Sequence, residues 1–293
     1  MSTPTPAASP AMHPGAPVMP ANGAPVMPAP AQRVRAVGTS NVSLFSVLRS
    51  ERIKLWSLRS TYWVAAICIV LTIGLGSLMG FGITQLDADM SASPAMLSAI
   101  FSLPAYFVAM ITAALGVLAV TTEYSTGQIR STLAAVPSRW PVSTAKVLVV
   151  SVSAALISLV GNLLTLPFLH LFLSSRDIEV FTTGTLKTVL LTALFHLLMA
   201  MMGAGLGFLL RHTAGAITVV AVELFVLIIA LQIAGIFLAR IWEPLGKLDK
   251  YLPANAGMSM IAGESVGKNL LILLVWVLVP LITGAILFKR RDA

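Results

Sequence analysis

Six long apolar stretches organise the chain, at about 62–83, 104–121, 146–173, 186–210, 214–238 and 269–288. Each is near or above the roughly 20 residues a helix needs to cross a hydrocarbon core. The pattern therefore predicts an all-α integral membrane protein with six transmembrane helices. The shortest break is Arg211-His212; without it the fourth and fifth stretches merge into one over-long helix, so the expected layout keeps it.

The polar breaks have patterns of their own. Before the first stretch, residues 42–60 alternate Arg49, Arg52, Lys54 and Arg59 with Leu44, Phe45, Val47, Leu48, Ile53, Leu55, Trp56 and Leu58. This suits a helix lying in the headgroup layer. An ordinary positive flank of the first span gives the same pattern, and both readings put the segment on the cytoplasmic side. Between the second and third stretches, Glu123 to Ala135 is predicted as a short helix with Ile129, Leu133 and Val136 on one face. Gln128, Arg130, Ser131 and Thr132 face away, and Gly127 loosens the first turn. Pro137 ends the helix and biases Val136 out of the helical region, and Pro141 turns the chain back to the membrane.

Residues 1–41 break the alternation altogether. They hold nine of the seventeen prolines, two charges and no aromatic residue, and repeat Gly-Ala-Pro-Val-Met-Pro-Ala at 15–21 and 23–29. Such a segment buries too little apolar surface to offset its ordering entropy, so a disordered, partly polyproline cytoplasmic tail is expected, followed by a membrane domain over 42–293. It lacks the basic start and continuous apolar core of a signal peptide.

Composition agrees with the pattern: 57% hydrophobic and 10% charged residues, with a mean hydropathy of +0.91, is too apolar for a soluble domain. A net charge of +8 raises the question of nucleic acid, but the basic residues form no face with interleaved aromatics, so none is expected as a partner. They sort by membrane side instead. With both termini inside, the inner segments hold thirteen basic residues and the outer ones six, while seven of the eleven acids fall outside. The positive-inside rule then makes both ends cytoplasmic.

No catalytic constellation emerges. Gly263-Glu264-Ser265-Val266-Gly267-Lys268-Asn269 approaches a phosphate loop but has three residues between its glycines and ends in Asn where Ser or Thr would hold magnesium. His13, His170, His196 and His212 are scattered without ligand spacing, and Cys68 stands alone, so neither a metal site nor a cofactor is expected. Gly76-x-x-x-Gly80 and Gly203-x-x-x-Gly207 let helices approach closely, within the subunit or at a dimer seam. Arg130 and Arg139 suit an acidic partner or anionic lipid.

Glu223 is the one ionisable side chain clearly inside the hydrocarbon zone, about 14 Å from the cytoplasmic start of span five. At the same depth of span four lie Met201, Gly203 and Gly205, where small residues leave room. A carboxylate there needs a donor. His196, Asn162 and span hydroxyls are available, and the set serves either core packing or a substrate path.

The loop pattern Glu123-Tyr124-x-x-Gly127-x-Ile129-Arg130-x-x-Leu133-x-x-x-Pro137-x-Arg139 resembles the first cytoplasmic loop of ABC-2 type permeases, the membrane subunits of bacterial ABC exporters. Ser50-Glu51-Arg52-Ile53-Lys54-Leu55 is similar to the family's pre-span helix, and Tyr251-Leu252-Pro253-Ala254-Asn255-Ala256-Gly257 to a segment before its last span. The resemblance covers roughly 44–291 and implies a non-enzymatic export subunit of the bacterial plasma membrane. A separate ATPase subunit and a second permease, identical or similar, would be its partners. Glu123, Gly127, Arg130, Leu133, Pro137 and Arg139 would then form the coupling helix that docks on the ATPase. It also implies that 240–268 dips partly into the outer leaflet as helical pieces. Two rivals from other classes are weaker. An intramembrane enzyme using Glu223 and His196 would need a second intramembrane carboxylate, and an ion-coupled secondary transporter would need matching internal repeats.

Overall fold

The computed structural model describes residues 43–85, 94–129, 139–174, 178–238 and 248–290, and no strand occurs among them. The tail over 1–41 lies outside these residues, as do 130–138 of the inner loop and 239–247 of the outer segment. An N-terminal helix, Leu44–Ser57, precedes span 1 (Arg59–Thr84), span 2 (Pro94–Ser125), span 3 (Arg139–Leu173) and span 4 (Thr183–Leu210). Span 5 runs Thr213–Leu238 with a π-helical segment at Val222–Val226, and a short outer helix, Pro253–Ile261, leads to span 6 (Val266–Arg290). Six of these helices are long and apolar enough to cross a membrane.

Local chemistry sets the breaks. Leu58 is extended, and the Thr61 hydroxyl donates to the Leu55 carbonyl at 2.6 Å, fixing the turn between the N-terminal helix and span 1. Span 4 stops because Arg211 takes a left-handed conformation at φ 55°, its N–H returning to the Gly207 carbonyl. His212 then caps span 5, its Nδ1 accepting the Gly215 N–H at 3.0 Å. The Arg211-His212 break therefore exists, and Thr213 Oγ1 bonds Thr121 Oγ1 at 2.8 Å to tie the start of span 5 to the end of span 2. Span 2 begins well before the expected 104, because Pro104 is carried inside the helix. Neighbouring helices and hydroxyls make such a proline tolerable in a membrane span.

Span 4 is the most enclosed helix, and its closest neighbour is span 2. A Cβ added to Gly203 would fall on the Ala113 backbone and one added to Gly116 on the Ala200 carbonyl, so the two backbones are in contact. Gly205 is filled in the same way by Pro280 and Leu281 of span 6. The gap expected there for a Glu223 partner is thus taken by spans 2 and 6. Gly76 and Gly80 face Thr165 and Leu169 of span 3, so both small-residue pairs are used within the subunit.

The outer helix is held inward by buried Ala254, Ala256, Gly257, Met260 and Ile261, and Trp276 Nε1 donates to the Tyr251 carbonyl at 2.8 Å. The stretch that approaches a phosphate loop is a turn, with Gly263 at φ 82° and Ser265 at φ 41°, closed by Asn269 Nδ2 donating to the Glu264 carbonyl. Spans 1, 5 and 6 are least enclosed and present apolar faces outward, among them Trp63, Val70, Ile233, Ile236, Leu271 and Val275.

Candidate functional site

Four charges meet where the N-terminal helix, the end of span 2 and the start of span 3 converge. Glu51 and Lys54 lie one helical turn apart and bond each other at 2.7 Å. Lys146 reaches Glu51 Oε2 at 2.6 Å and Glu123 Oε1 at 2.9 Å, and Lys54 reaches the same Glu123 oxygen at 3.1 Å. Glu51, Glu123 and Lys146 are each 6% exposed or less, so the two carboxylates and the Lys146 ammonium neutralise one another away from water, while Lys54, with a third of its side chain exposed, closes the network from its edge. Burial alone would push the Glu51 carboxyl up, but the charges and hydrogen bonds of Lys146 and Lys54 prevail and hold it below the ordinary carboxylate range. Burial likewise opposes the Lys54 ammonium, and Glu51 and Glu123 overcome it, raising Lys54 above its usual value.

Behind this network lies a cavity of about 340 Å³ lined by the four charged residues, by Ser57, Ser60, Thr61, Thr122 and Gln128, and by an apolar wall that includes Val64, Leu115 and Val149. Glu123 Oε2 is buried and has no hydrogen-bond partner among the described residues.

The network sits at the root of the loop between spans 2 and 3. The helix expected to start at Glu123 does not: span 2 continues through Ser125, and a new helical turn begins only at Gln128-Ile129. The reason is Gly127, whose φ of 70° suits glycine and separates the two helices instead of loosening one of them. Ile129 is buried in one apolar cluster with Leu55, Val147 and Val150, which ties the start of the loop to the N-terminal helix and span 3. Arg130, Leu133 and Pro137 lie outside the described residues. Arg139 opens span 3, and nothing about its side chain is described.

Residues 78–293 match the ABC-2 family transporter protein model. The chain belongs to that family. No curated protein matches it. As an ABC-2 transporter protein with six apolar helices, it is a multi-pass membrane permease.

Of the polar residues singled out in the permease's spans, His196 and Asn162 lie in one place and Glu223 in another. His196 Nε2 meets the Ala105 carbonyl at 3.1 Å and Nδ1 meets Ser158 Oγ at 2.7 Å, while Asn162 Nδ2 donates to the Ser158 carbonyl at 2.8 Å. The two His196 bonds fasten spans 2, 3 and 4 together in the core, and the Asn162 bond lies within span 3. Glu223 is not part of this group. It lies in the π-helical segment, half-buried, and its Oε2 has no hydrogen-bond partner among the described residues. The segment is braced by the Tyr106 hydroxyl, which donates to the Leu224 carbonyl at 2.8 Å, and by the Tyr106 ring edge-on to Phe225.

Glu51, Lys54 and Lys146 are the permease residues that the motif reading passed over as members of a site. A signal was present: in the orientation expected from the basic residues, only four of the eleven acids fall away from the outer side, and Glu51 and Glu123 are two of them. Lys146, lone within an apolar helix start, is the cation such acids require.

Proposed function

We propose that this permease is the export-pathway subunit of a bacterial ABC transporter in the plasma membrane, with both termini cytoplasmic. It pairs with a second copy or a similar permease, and a separate ATPase docks on the loop that follows Gly127. The family membership supports the ATPase partner. The observation that carries the coupling role is the network of buried Glu51, Glu123 and Lys146 with half-buried Lys54, which shares its pocket with Gln128 at the start of that loop. A push on the loop moves Ile129 against Leu55 and Val147, and the network passes it to the N-terminal helix and spans 2 and 3 together. In this reading Glu123 and Gly127 shape the root of the loop, and Arg130, Leu133, Pro137 and Arg139 form its docking face. The N-terminal helix lies in the headgroup layer and the outer helix dips into the opposite leaflet.

Ser131→Cys tests the docking. The native Cys68 is 1% exposed within span 1, so the introduced thiol is the reactive one. Crosslinking to the co-purified ATPase is expected in at least one nucleotide condition, and its absence in every condition sinks the docking reading.

Glu223 belongs to the substrate path in this proposal. A packing role asks for a hydrogen-bonded neutral acid, and Oε2, without a partner among the described residues, sits instead in a π-helical segment, a distortion often found at functional sites. Glu223→Gln is then expected to assemble normally with altered transport rate or substrate range. Equal tolerance of Glu223→Gln and Glu223→Leu in both assays would contradict it.

A further inference from the structure

We infer that the pocket at the root of the inner loop binds an amphiphile whose head carries a primary ammonium group. Its volume of about 340 Å³ falls within the range of small-molecule sites. Its lining is divided. One part is charged or hydroxyl-bearing, with Glu51, Lys54, Glu123, Lys146 and Thr122, and the rest is an aliphatic wall of Val64, Leu115, Leu118, Val149 and Val150. Only a molecule with a polar head and an apolar tail satisfies both.

The charge pattern selects the head. Lys54 and Lys146 are each held by both carboxylates, and Glu51 uses both of its oxygens in doing so. Glu123 spends Oε1 on both lysines and leaves Oε2 without a partner among the described residues, although the residue is only 4% exposed. A buried carboxylate oxygen with no donor is costly, so the unfilled valence calls for a hydrogen-bond donor with positive charge. An anionic head would meet two carboxylates beside ammoniums that are already neutralised. The position fits an amphiphile as well. The pocket is formed by the last turns of the N-terminal helix, the first turns of span 1, the last turns of span 2 and the first turns of span 3, so it lies toward the ends of the spans, where headgroups are expected.

The shared chemistry has two sources, a bilayer lipid with an ethanolamine head or a soluble alkylamine. The inference needs no docked ATPase, so its failure and that of the coupling proposal are separable. The test uses the purified full chain in detergent and follows Tm during titration with dioleoylphosphatidylethanolamine, its choline counterpart and dodecylamine. The choline head keeps its charge but has no N–H. A saturable rise in Tm with the ethanolamine lipid or the alkylamine, and none with the choline lipid, is expected. Ala119→Phe fills the pocket without touching the charges and should abolish that rise. Ethanolamine lipid retained on the protein by mass spectrometry assigns the site to the bilayer, and a response to dodecylamine alone assigns it to a soluble amphiphile. An equal response to the choline lipid, no response to either amine, or an undiminished rise in Ala119→Phe would overturn the inference. Should Ala119→Phe fail to fold, the comparison of the two lipids on the native chain decides.

Discussion

Glu51 and Lys146 meet at 2.6 Å with side chains only 4% and 6% exposed, so neither charge can turn to water if the other is removed. Breaking a buried pair from one side costs about 3–5 kcal/mol, whereas replacing both ends is far milder. Lys146→Met or Glu51→Gln alone should therefore destabilise by that amount, and the double variant should recover much of it, as read by denaturant unfolding in mild detergent. The same network predicts a pH window. The depressed Glu51 contributes stability above its unfolded pKa, lost as pH falls through the lower folded value. The raised Lys54 contributes below its unfolded pKa, lost as pH rises through the higher folded value. The Tm difference between native protein and Lys54→Met should hold steady from about pH 5 to 9 and shrink beyond both ends. A difference that changes sharply near neutrality would place the titrating group elsewhere. At this scale sequence reading was weakest: Glu51, Lys54 and Lys146 are distant along the chain from Glu123, and only the fold brings them into contact.

Helices were the most legible elements, since apolar runs of spanning length have no other stable state in lipid. Their details were less so. The π-helical turn at Val222–Val226 left no sign because a uniformly apolar span has no periodicity to interrupt. The helix start after Gly127 was hidden because Glu123–Ser125 suit the end of one helix as well as the start of the next. Small residues were legible as contacts but not as partners. Gly203 proves to rest on the backbone of span 2, so Gly203→Ala should force spans 2 and 4 apart and cost about 1–3 kcal/mol. Gly82→Ala, where an added Cβ meets nothing within 4 Å, is the matched control and should be neutral or slightly stabilising. Equal Tm for the two variants would contradict the close approach of spans 2 and 4.

For the whole molecule, the layout of six spans with thirteen basic residues on one side against six on the other predicts a fixed orientation. Reporter fusions after residues 90, 180 and 255 should read as outside and one after 213 as inside; an outside reading at 213 or an inside one at 255 would break the arrangement. The membrane side of the loop decides whether an ATPase can reach it, and the loop's basic residues decide whether it docks. The most direct measurement is ATP hydrolysis by affinity-purified native chain and by its Arg130→Glu/Arg139→Glu variant, inserted at equal levels in the native host, where the ATPase partner is expressed. Native chain should bring down the ATPase with nucleotide hydrolysis, while chain purified without it hydrolyses nothing and the variant loses the partner. Hydrolysis by the permease alone, or undiminished ATPase capture by the variant, would contradict a permease driven through this loop.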